Sequence, residues 1–489
     1  MGLLADRQSQ LFIDGKLEAG SGGTFQTVNP ATEEVLGLAA DATADDMGRA
    51  IEAARRAFDD TDWSVNTELR VRGIRQLQQA LRDHADELRE LAISEVGAPR
   101  MLTSMAQFDG PVEDLSFCAD TAESYQWTTD LGIAEPMGIK TRRTIAREAI
   151  GVVGAITPWN FPNQINLAKI GPALAAGNTV VLKPAPDTPW SAAVLGELIG
   201  EHTDIPPGVV NIITSSDHGV GALLSKDPRV DMVSFTGSTN TGRAVMSDGS
   251  ATLKKVFLEL GGKSAFVVLD DADLAGACSM SAFTASMHAG QGCAITTRLV
   301  VPRARYDEAV EAAAATMAGL KPGDPTDAGT ICGPVISARQ RERIEGYLQS
   351  ATAEGGTFAC GGGRPADRDT GFFIEPTVIA GLDNNAKVAR EEIFGPVLTV
   401  IAHDGDDDAV RIANDSPYGL SGTVFSPDLD RANAVAARLR VGTVNVNGGV
   451  WYSADMPFGG YKQSGIGREM GLAGFEEYLE TKAIATAVS

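Results

Sequence analysis

The stretch Gly151-Val152-Val153-Gly154-Ala155-Ile156-Thr157 is a short apolar run that stops at Pro158-Trp159-Asn160-Phe161-Pro162. A run of this length, rich in β-branched residues and closed by prolines, reads as a buried strand ending in a rigid turn. Working outward, Thr179–Lys183, Val209–Thr214, Met232–Phe235 and Val256–Leu260 repeat the pattern. Helical stretches such as Trp190–His202 and Gly219–Ser225 lie between them. Five apolar strands alternating with helices predict a parallel, doubly wound α/β sheet. Ligands of such sheets bind beyond the carboxyl ends of the strands. Nearly every distinctive motif in this chain begins where one of these strands stops.

A second α/β unit starts near Ser264. It comprises a strand at Ala265–Leu269, a helix capped by Asp271, a strand at Thr297–Val301 and an Ala-rich helix at Tyr306–Leu320. Ahead of both units, Thr43 and Asp46 form a capping-box start for a helix with Met47, Ile51, Ala54 and Phe58 at helical spacing. Glu68–Glu95 is predicted as a solvated cover helix rich in Arg, Glu and Leu. Thr141–Glu148 alternates polar and apolar residues. With Ala483–Val488 it predicts a protruding sheet that pairs with a neighbouring subunit.

With 489 residues the chain is too long for one core, and its 54 glycines point to frequent tight turns. A net charge of −23 argues against nucleic acid or an anionic membrane surface as partner, because both are polyanions. No apolar run is long enough to span a bilayer. Met1-Gly2-Leu3-Leu4-Ala5-Asp6-Arg7 lacks the apolar region of a signal peptide, so a cytoplasmic location is expected. The cysteines Cys118, Cys278, Cys293, Cys332 and Cys360 are odd in number and widely spaced. No CxxC or Cys/His cluster occurs, so neither a disulfide framework nor a metal site is expected.

Four segments carry candidate chemistry. In Gly290-Gln291-Gly292-Cys293 two glycines bring backbone amides near a thiol, where they can stabilise a thiolate and an oxyanion. An isolated cysteine is more often a small inert hydrophobe. Glu259-Leu260-Gly261-Gly262-Lys263 sets a carboxylate among apolar residues at a strand end, which suits a desolvated general base; an ion pair with Lys263 or Lys255 is the competing reading. Asn160, between two aromatics and two prolines, is a directed amide donor or a simple turn residue. Phe235-Thr236-Gly237-Ser238-Thr239-Asn240-Thr241-Gly242 reads as strand, glycine turn and helix start, where exposed amides can hold phosphate. Its spacing is not the usual dinucleotide fingerprint.

Together these segments resemble the aldehyde dehydrogenase superfamily in order and spacing. The resemblance runs from Phe12-Ile13-Asp14-Gly15 and Asn29-Pro30-Ala31-Thr32, through Glu391-Glu392-Ile393-Phe394-Gly395-Pro396 and Pro457-Phe458-Gly459-Gly460-Tyr461-Lys462, to Ser464-Gly465-Ile466-Gly467-Arg468-Glu469. It implies two Rossmann-like parallel-sheet domains plus a small β oligomerisation arm. Residues 1–126 and 150–261 would bind the dinucleotide. Residues 262–465 would carry the nucleophile, and 127–149 with 466–489 would form the arm and C-terminal tail.

The resemblance also implies roles. Cys293 would attack an aldehyde, the Asn160 amide and the Cys293 N–H would hold the oxyanion, and Glu259 would activate the hydrolytic water, with Lys169 and Glu480 relaying its proton. NAD, or NADP, would lie on Ile156, Thr157, Pro158, Trp159, Lys183, Gly237 and Ser238. Gly242, Leu260, Glu392 and Phe394 would complete that cleft, and no metal is needed. The aldehyde pocket would include Phe161, Ile165, Ala168 and Met287, with Gly292, Ala294, Val450 and Phe458. Pro186 stands where many NAD-preferring members have a glutamate. His288 replaces a common asparagine and reads as a packing residue. Ala168, where some relatives have tryptophan, implies a roomier tunnel for medium-chain or aromatic aldehydes. Members of the superfamily are dimers or tetramers. Rival readings are a CoA-acylating enzyme, which the presence of Glu259 disfavours, and a non-catalytic binding protein.

Overall fold

The computed structural model describes Leu3 and residues 8–488; the other six N-terminal positions read above for a signal peptide lie outside the described residues. The first sheet has eight strands in the spatial order Lys16–Glu18, Leu11–Ile13, Val210–Ile212, Thr179–Lys183, Val152–Ile156, Met232–Thr236, Lys255–Glu259 and Gly465–Ile466. The five strands predicted from sequence form its parallel centre. Their order reverses between Val152–Ile156 and Met232–Thr236. A crevice opens at such a reversal because the flanking connections leave to opposite faces.

The second sheet has seven strands, in the order Thr357–Cys360, Thr377–Ala380, Val397–His403, Thr296–Pro302, Ser264–Val268, Ser421–Phe425 and Thr443–Val446. All its pairings are parallel except the first. The two doubly wound sheets are those expected. Helix Pro162–Ala176, which comes after the opening strand, is buried along almost its whole length. An apolar helix of this kind stays inside because every face finds apolar neighbours.

Thr43 and Asp46 form the reciprocal capping box of Ala44–Asp60. The helix predicted over Glu68–Glu95 divides at His84 into Thr67–Asp83 and Ala85–Val96. It is also more than a cover. Glu95 is fully buried and accepts from the backbone N–H groups of Trp190 (2.6 Å) and Ser191 (2.9 Å). Helix Trp190–His202 starts after Pro189, which has no capping side chain; Glu95 satisfies its open amides instead. The helix Leu274–Ser286 is capped by Asp273 rather than Asp271. Asp271 is taken by the Ser426 hydroxyl at 2.8 Å and by Arg431.

The protruding sheet is present. Thr141–Ala149 pairs antiparallel with Leu479–Ala487 over nine residues, and Thr128–Ala134 lies on its other side. The residues just before Leu479–Ala487 lie against the first sheet. Gly465–Ile466 adds an antiparallel edge to the strand carrying Glu259, and Phe475 and Tyr478 pack in the first domain's core. Glycine at 465 permits this pairing: its φ is +146°, and a Cβ would lie 2.0 Å from the Leu258 carbonyl oxygen. No helix among the described residues is long and apolar enough to cross a membrane.

Candidate active site

Because the central strands are parallel, Lys183, Ile156, Phe235 and Glu259 end side by side at one edge; Ile156 pairs with Lys183 and with Phe235, and Thr236 with Glu259. Three interstrand steps of about 4.8 Å place Lys183 roughly 14 Å from Glu259. At the end of the third strand, Ser238 caps helix Thr239–Gly249 through its side chain. Gly237 donates its N–H to the Glu259 carbonyl at 3.0 Å. At Gly242 a Cβ would meet the Leu260 side chain at 2.6 Å, so only glycine lets the helix sit this close.

The cysteine loop comes directly after helix Leu274–Ser286. His288, Ala289 and Gly290 all take positive φ, between 51° and 68°. At Gly290 a Cβ would lie 2.1 Å from the Gly395 carbonyl oxygen, which explains the first glycine of the motif. The loop is held by Gln291, a buried residue whose role no local pattern in the sequence signals. Its amide donates to the His288 and Pro334 carbonyls at 3.2 and 3.3 Å, and its oxygen accepts from Ile336 N–H at 2.9 Å.

Asn160 is buried, and its Nδ2 donates to the Gln291 carbonyl at 2.9 Å. Its own carbonyl accepts from Gln107 at 2.8 Å and lies 2.9 Å from His288 Nε2. The amide is therefore aimed at the cysteine loop. Burial pushes His288 down to about 4, so the ring is neutral and donates to that carbonyl. With Phe161 edge-on at 5.2 Å, His288 is the packing residue expected.

Cys293 is half-buried. Burial, then the charges of Glu259, Glu392 and Glu469, push its thiol well above the ordinary range, and the Ala294 amide offsets this only in part. Burial is the largest part of this rise, and one backbone donor is too weak to reverse it. Cys118, Cys278 and Cys332 are pushed up to about 12 chiefly by burial.

Glu259 is 1% exposed, and among the described residues neither carboxyl oxygen has a hydrogen-bonding partner. Burial first, and Glu469 next, raise it well above the usual carboxylate range. The competing ion pairs are not formed: Lys255 pairs with Glu477, and Lys263 Nζ is buried with no hydrogen-bonding partner among the described residues.

Lys169 is fully buried and donates to Glu469 at 3.0 Å and to Ser234 at 3.1 Å. The expectation for Glu480 is corrected here. Glu480 is exposed on the arm opposite Glu148, and the carboxylate beside Lys169 is Glu469. Glu469 is fixed by two backbone bonds to Phe458, at 2.6 and 2.7 Å. Its place in Gly467-Arg468-Glu469 was the available signal. Ser464 ties this segment to the base-bearing turn, accepting from Leu260 N–H at 2.9 Å and donating to the Gly261 carbonyl at 2.7 Å.

Glu392 accepts from Gly262 N–H at 2.9 Å, and burial pushes it up to about 7. A Cβ at Gly261 would meet its carboxylate at 2.4 Å, and one at Gly262 would meet the Cys293 carbonyl at 2.7 Å. The two glycines after Glu259 therefore let strand end, carboxylate and nucleophile loop converge. Trp159 and Phe394 meet edge to face across the cleft at 5.3 Å. Thr157 turns inward, donating to Asn166 at 2.7 Å. Lys183 is buried along Gly221, in the first turn of helix His218–Lys226. Burial lowers it to about 8 against the pull of Asp187, Asp217 and Asp41.

Of the predicted pocket residues, Phe161 approaches Gly292, where a Cβ would lie 3.8 Å from its ring. Ile165 is buried, Met287 and Ala294 are half-buried beside the loop, and Ala168 lines an apolar pocket. Val450 departs from expectation: its side chain is 82% exposed. The next residue, Trp451, turns in and stacks on Phe458 at 4.6 Å and 6°.

Residues 17–484 match the aldehyde dehydrogenase family. A 3-succinoylsemialdehyde-pyridine dehydrogenase of Pseudomonas sp is 41% identical, over 97% of this chain and 98% of the relative. The crystal structure of betaine aldehyde dehydrogenase from Staphylococcus aureus with NAD+ superposes with a TM-score of 0.94 at 38% identity, covering 98% and 95% of the two chains. A cysteine-to-alanine mutant of aldehyde dehydrogenase C from Pseudomonas syringae, solved with NAD+ and octanal, gives 0.93 at 39% identity over 98% and 97%. With the thiol, the buried carboxyl and the directed amide in one cleft, the chain belongs to the aldehyde dehydrogenase family.

Proposed function

We propose that the protein oxidises an aldehyde to its carboxylic acid with NAD, through a thiohemiacetal and a thioester on Cys293. The observation that carries this reading is the convergence of the Cys293 loop, the Asn160 amide and the unpaired Glu259 carboxyl on the Gly261-Gly262 turn. The cleft fits the dinucleotide. Buried Lys183 and half-buried Glu392 offer polar groups for two ribose hydroxyl pairs, and the helix N-terminus capped by Ser238 suits a pyrophosphate. Gly237 leaves the backbone clear there, Ile156 and Pro158 flank the cleft, and Trp159 and Phe394 wall it. Bound NAD supplies the hydride acceptor.

Cys293 gives its thiol proton to solvent as the sulfur adds to the carbonyl carbon, and Asn160 Nδ2 with the Cys293 N–H takes the developing oxyanion. The oxyanion collapses, hydride leaves the carbon, and a thioester remains. Glu259 then takes a proton from water, which attacks the acyl carbon; the acid departs and the thiol is restored. Lys169 and Glu469 give the proton held on Glu259 a buried route away. Purified enzyme should form NADH with medium-chain or aromatic aldehydes and release free acid. Acyl-CoA formation, or no turnover across an aldehyde panel despite bound NAD, would reject the reading.

NAD is favoured over NADP. An added 2′-phosphate would bring a dianion to the pocket where Asp41, Asp187 and Asp217 already crowd Lys183, although Arg339 and His218 face Asp187. Like charges brought together cost enough to shift affinity by an order of magnitude. The expected kcat/KM ratio is about tenfold or more for NAD, and Asp187→Ala should shrink it. A wild-type ratio near one would reject the assignment.

The arm leaves Ile133, Met137 and Ile139 exposed, with Met137 at 96%. Such a patch supports subunit pairing as a homodimer or homotetramer, which sedimentation would resolve. Five free thiols are consistent with a reducing, cytoplasmic setting.

A further inference from the structure

Lys263 comes directly after the Gly261-Gly262 turn, at the start of strand Ser264–Val268. It is 1% exposed, and none of its three N–H donors has a partner among the described residues. On the adjacent strand Thr296–Pro302, Arg298 is equally buried. Its Nε donates to the Lys263 carbonyl at 2.8 Å. Its Nη1 donates to Asn384 Oδ1 at 2.7 Å and to the Ile412 carbonyl at 2.9 Å, and its Nη2 to the Ala413 carbonyl at 2.9 Å. All four acceptors are neutral, and one N–H of the five remains, on Nη2. Among the described residues, neither cation meets a carboxylate at hydrogen-bonding distance.

Both line one small cavity, together with Ser264, Asn414, Tyr418 and Ser421, and no Asp or Glu lines it. The carboxylates nearby are engaged elsewhere. Glu392 accepts from the Gly262 N–H at 2.9 Å, and Asp415 pairs with Arg390 at 2.9 Å. Lys462, which donates to the Asn414 and Ser416 carbonyls, adds a further positive charge that Arg298 feels. The Ser264 hydroxyl accepts from Ser421 N–H at 3.2 Å, which leaves its own hydrogen to donate. Buried charge is tolerated when an opposite charge and hydrogen bonds offset its desolvation. This chain supplies neither to the Lys263 ammonium.

We propose that this cavity binds one chloride ion, held by the Lys263 ammonium, the free Arg298 N–H and the Ser264 hydroxyl. The free volume of about 10 Å³ admits a single particle near the size of water, which rules out phosphate, sulfate and carboxylates. A water molecule fits as well, but it leaves both cations unopposed. Burial first, and Arg298 next, lower Lys263 to about 7 against the pull of Glu392, so the ammonium gains from any anion that reaches it. The site stands apart from the nucleophile and the base. It fixes the start of the strand that follows the turn holding Glu392.

The test measures Tm of the full chain in about 200 mM sodium chloride and in the same concentration of sodium gluconate, whose anion is too large for the cavity. The chloride-minus-gluconate difference should be more positive in wild type than in Lys263→Met by about 2 °C or more. Methionine fills the same space without a charge, so effects of chloride on the rest of the surface cancel. Crystals grown without chloride and soaked in bromide should show anomalous density within hydrogen-bonding reach of Lys263 Nζ. Absence of that density overturns the proposal. Equal Tm differences in the two proteins overturn it too, even with bromide density present, because that is binding at crystal concentration only. Should Lys263→Met fail to fold, a chloride titration of wild type decides. A rise in Tm that saturates below about 100 mM supports the site, and a linear rise or none overturns it.

Discussion

Cys293→Ser forms no NADH from any aldehyde, yet binds NAD with a Kd within about threefold of wild type. The chemical half comes from the nucleophile: a hydroxyl in this cleft is a far weaker attacking group than a thiol, and loss of a covalent step costs about a thousandfold or more. The binding half comes from position. Lys183 ends one strand, Ser238 caps a helix and Glu392 sits on Gly262, and none of them depends on the cysteine side chain. Stopped-flow absorbance and titration calorimetry read the two halves separately. Undiminished acid production from this variant would end the assignment of Cys293.

Glu259→Gln should give a near-normal burst of NADH, about one per active site, then turnover slowed by roughly a hundredfold. Glutamine fills the same buried space but cannot take a proton from water, so the thioester accumulates. A second readout has a definite sign. The Glu259 charge raises the Cys293 thiol, so removing it lowers the thiol's pKa and moves the pH profile of iodoacetamide alkylation toward lower pH. If the carboxylate's main role were to draw the proton from Cys293, alkylation would instead slow and the burst would vanish. Unimpaired steady turnover would reject the deacylation role.

The fold was legible where burial dictated sequence. Thr179–Lys183 and Trp190–His202 have the predicted ends because apolar runs there meet a proline or a polar turn within a residue or two. The misreadings share a cause: each depended on which of two similar side chains a tertiary neighbour claims. Asp271 and Asp273 are equally good caps until Ser426 and Arg431 claim the first. Glu469 and Glu480 are both carboxylates near the chain's end, and only the arm's register shows that the second faces away from Lys169. Val450 and Trp451 differ by one step along a loop, and stacking on Phe458 decides which turns in. Gln107 and Gln291, which hold Asn160 and the cysteine loop, carry no local signal because the Asn160 and Pro334 carbonyls and the Ile336 N–H that they bind are distant in sequence.

The edge strand at Gly465–Ile466 and the Ser464 bridge set a timetable for the enzyme. The water-activating carboxyl is made halfway along the polypeptide, but its strand gains its outer neighbour, and Lys169 its acidic partner, only from residues beyond Gln463. A nascent chain on the ribosome can assemble both sheets' centres and still lack a finished cleft. A chain stopped short of Ser464 lacks the outer neighbour of the Glu259 strand and the acidic partner of Lys169 even where both sheets' centres are formed.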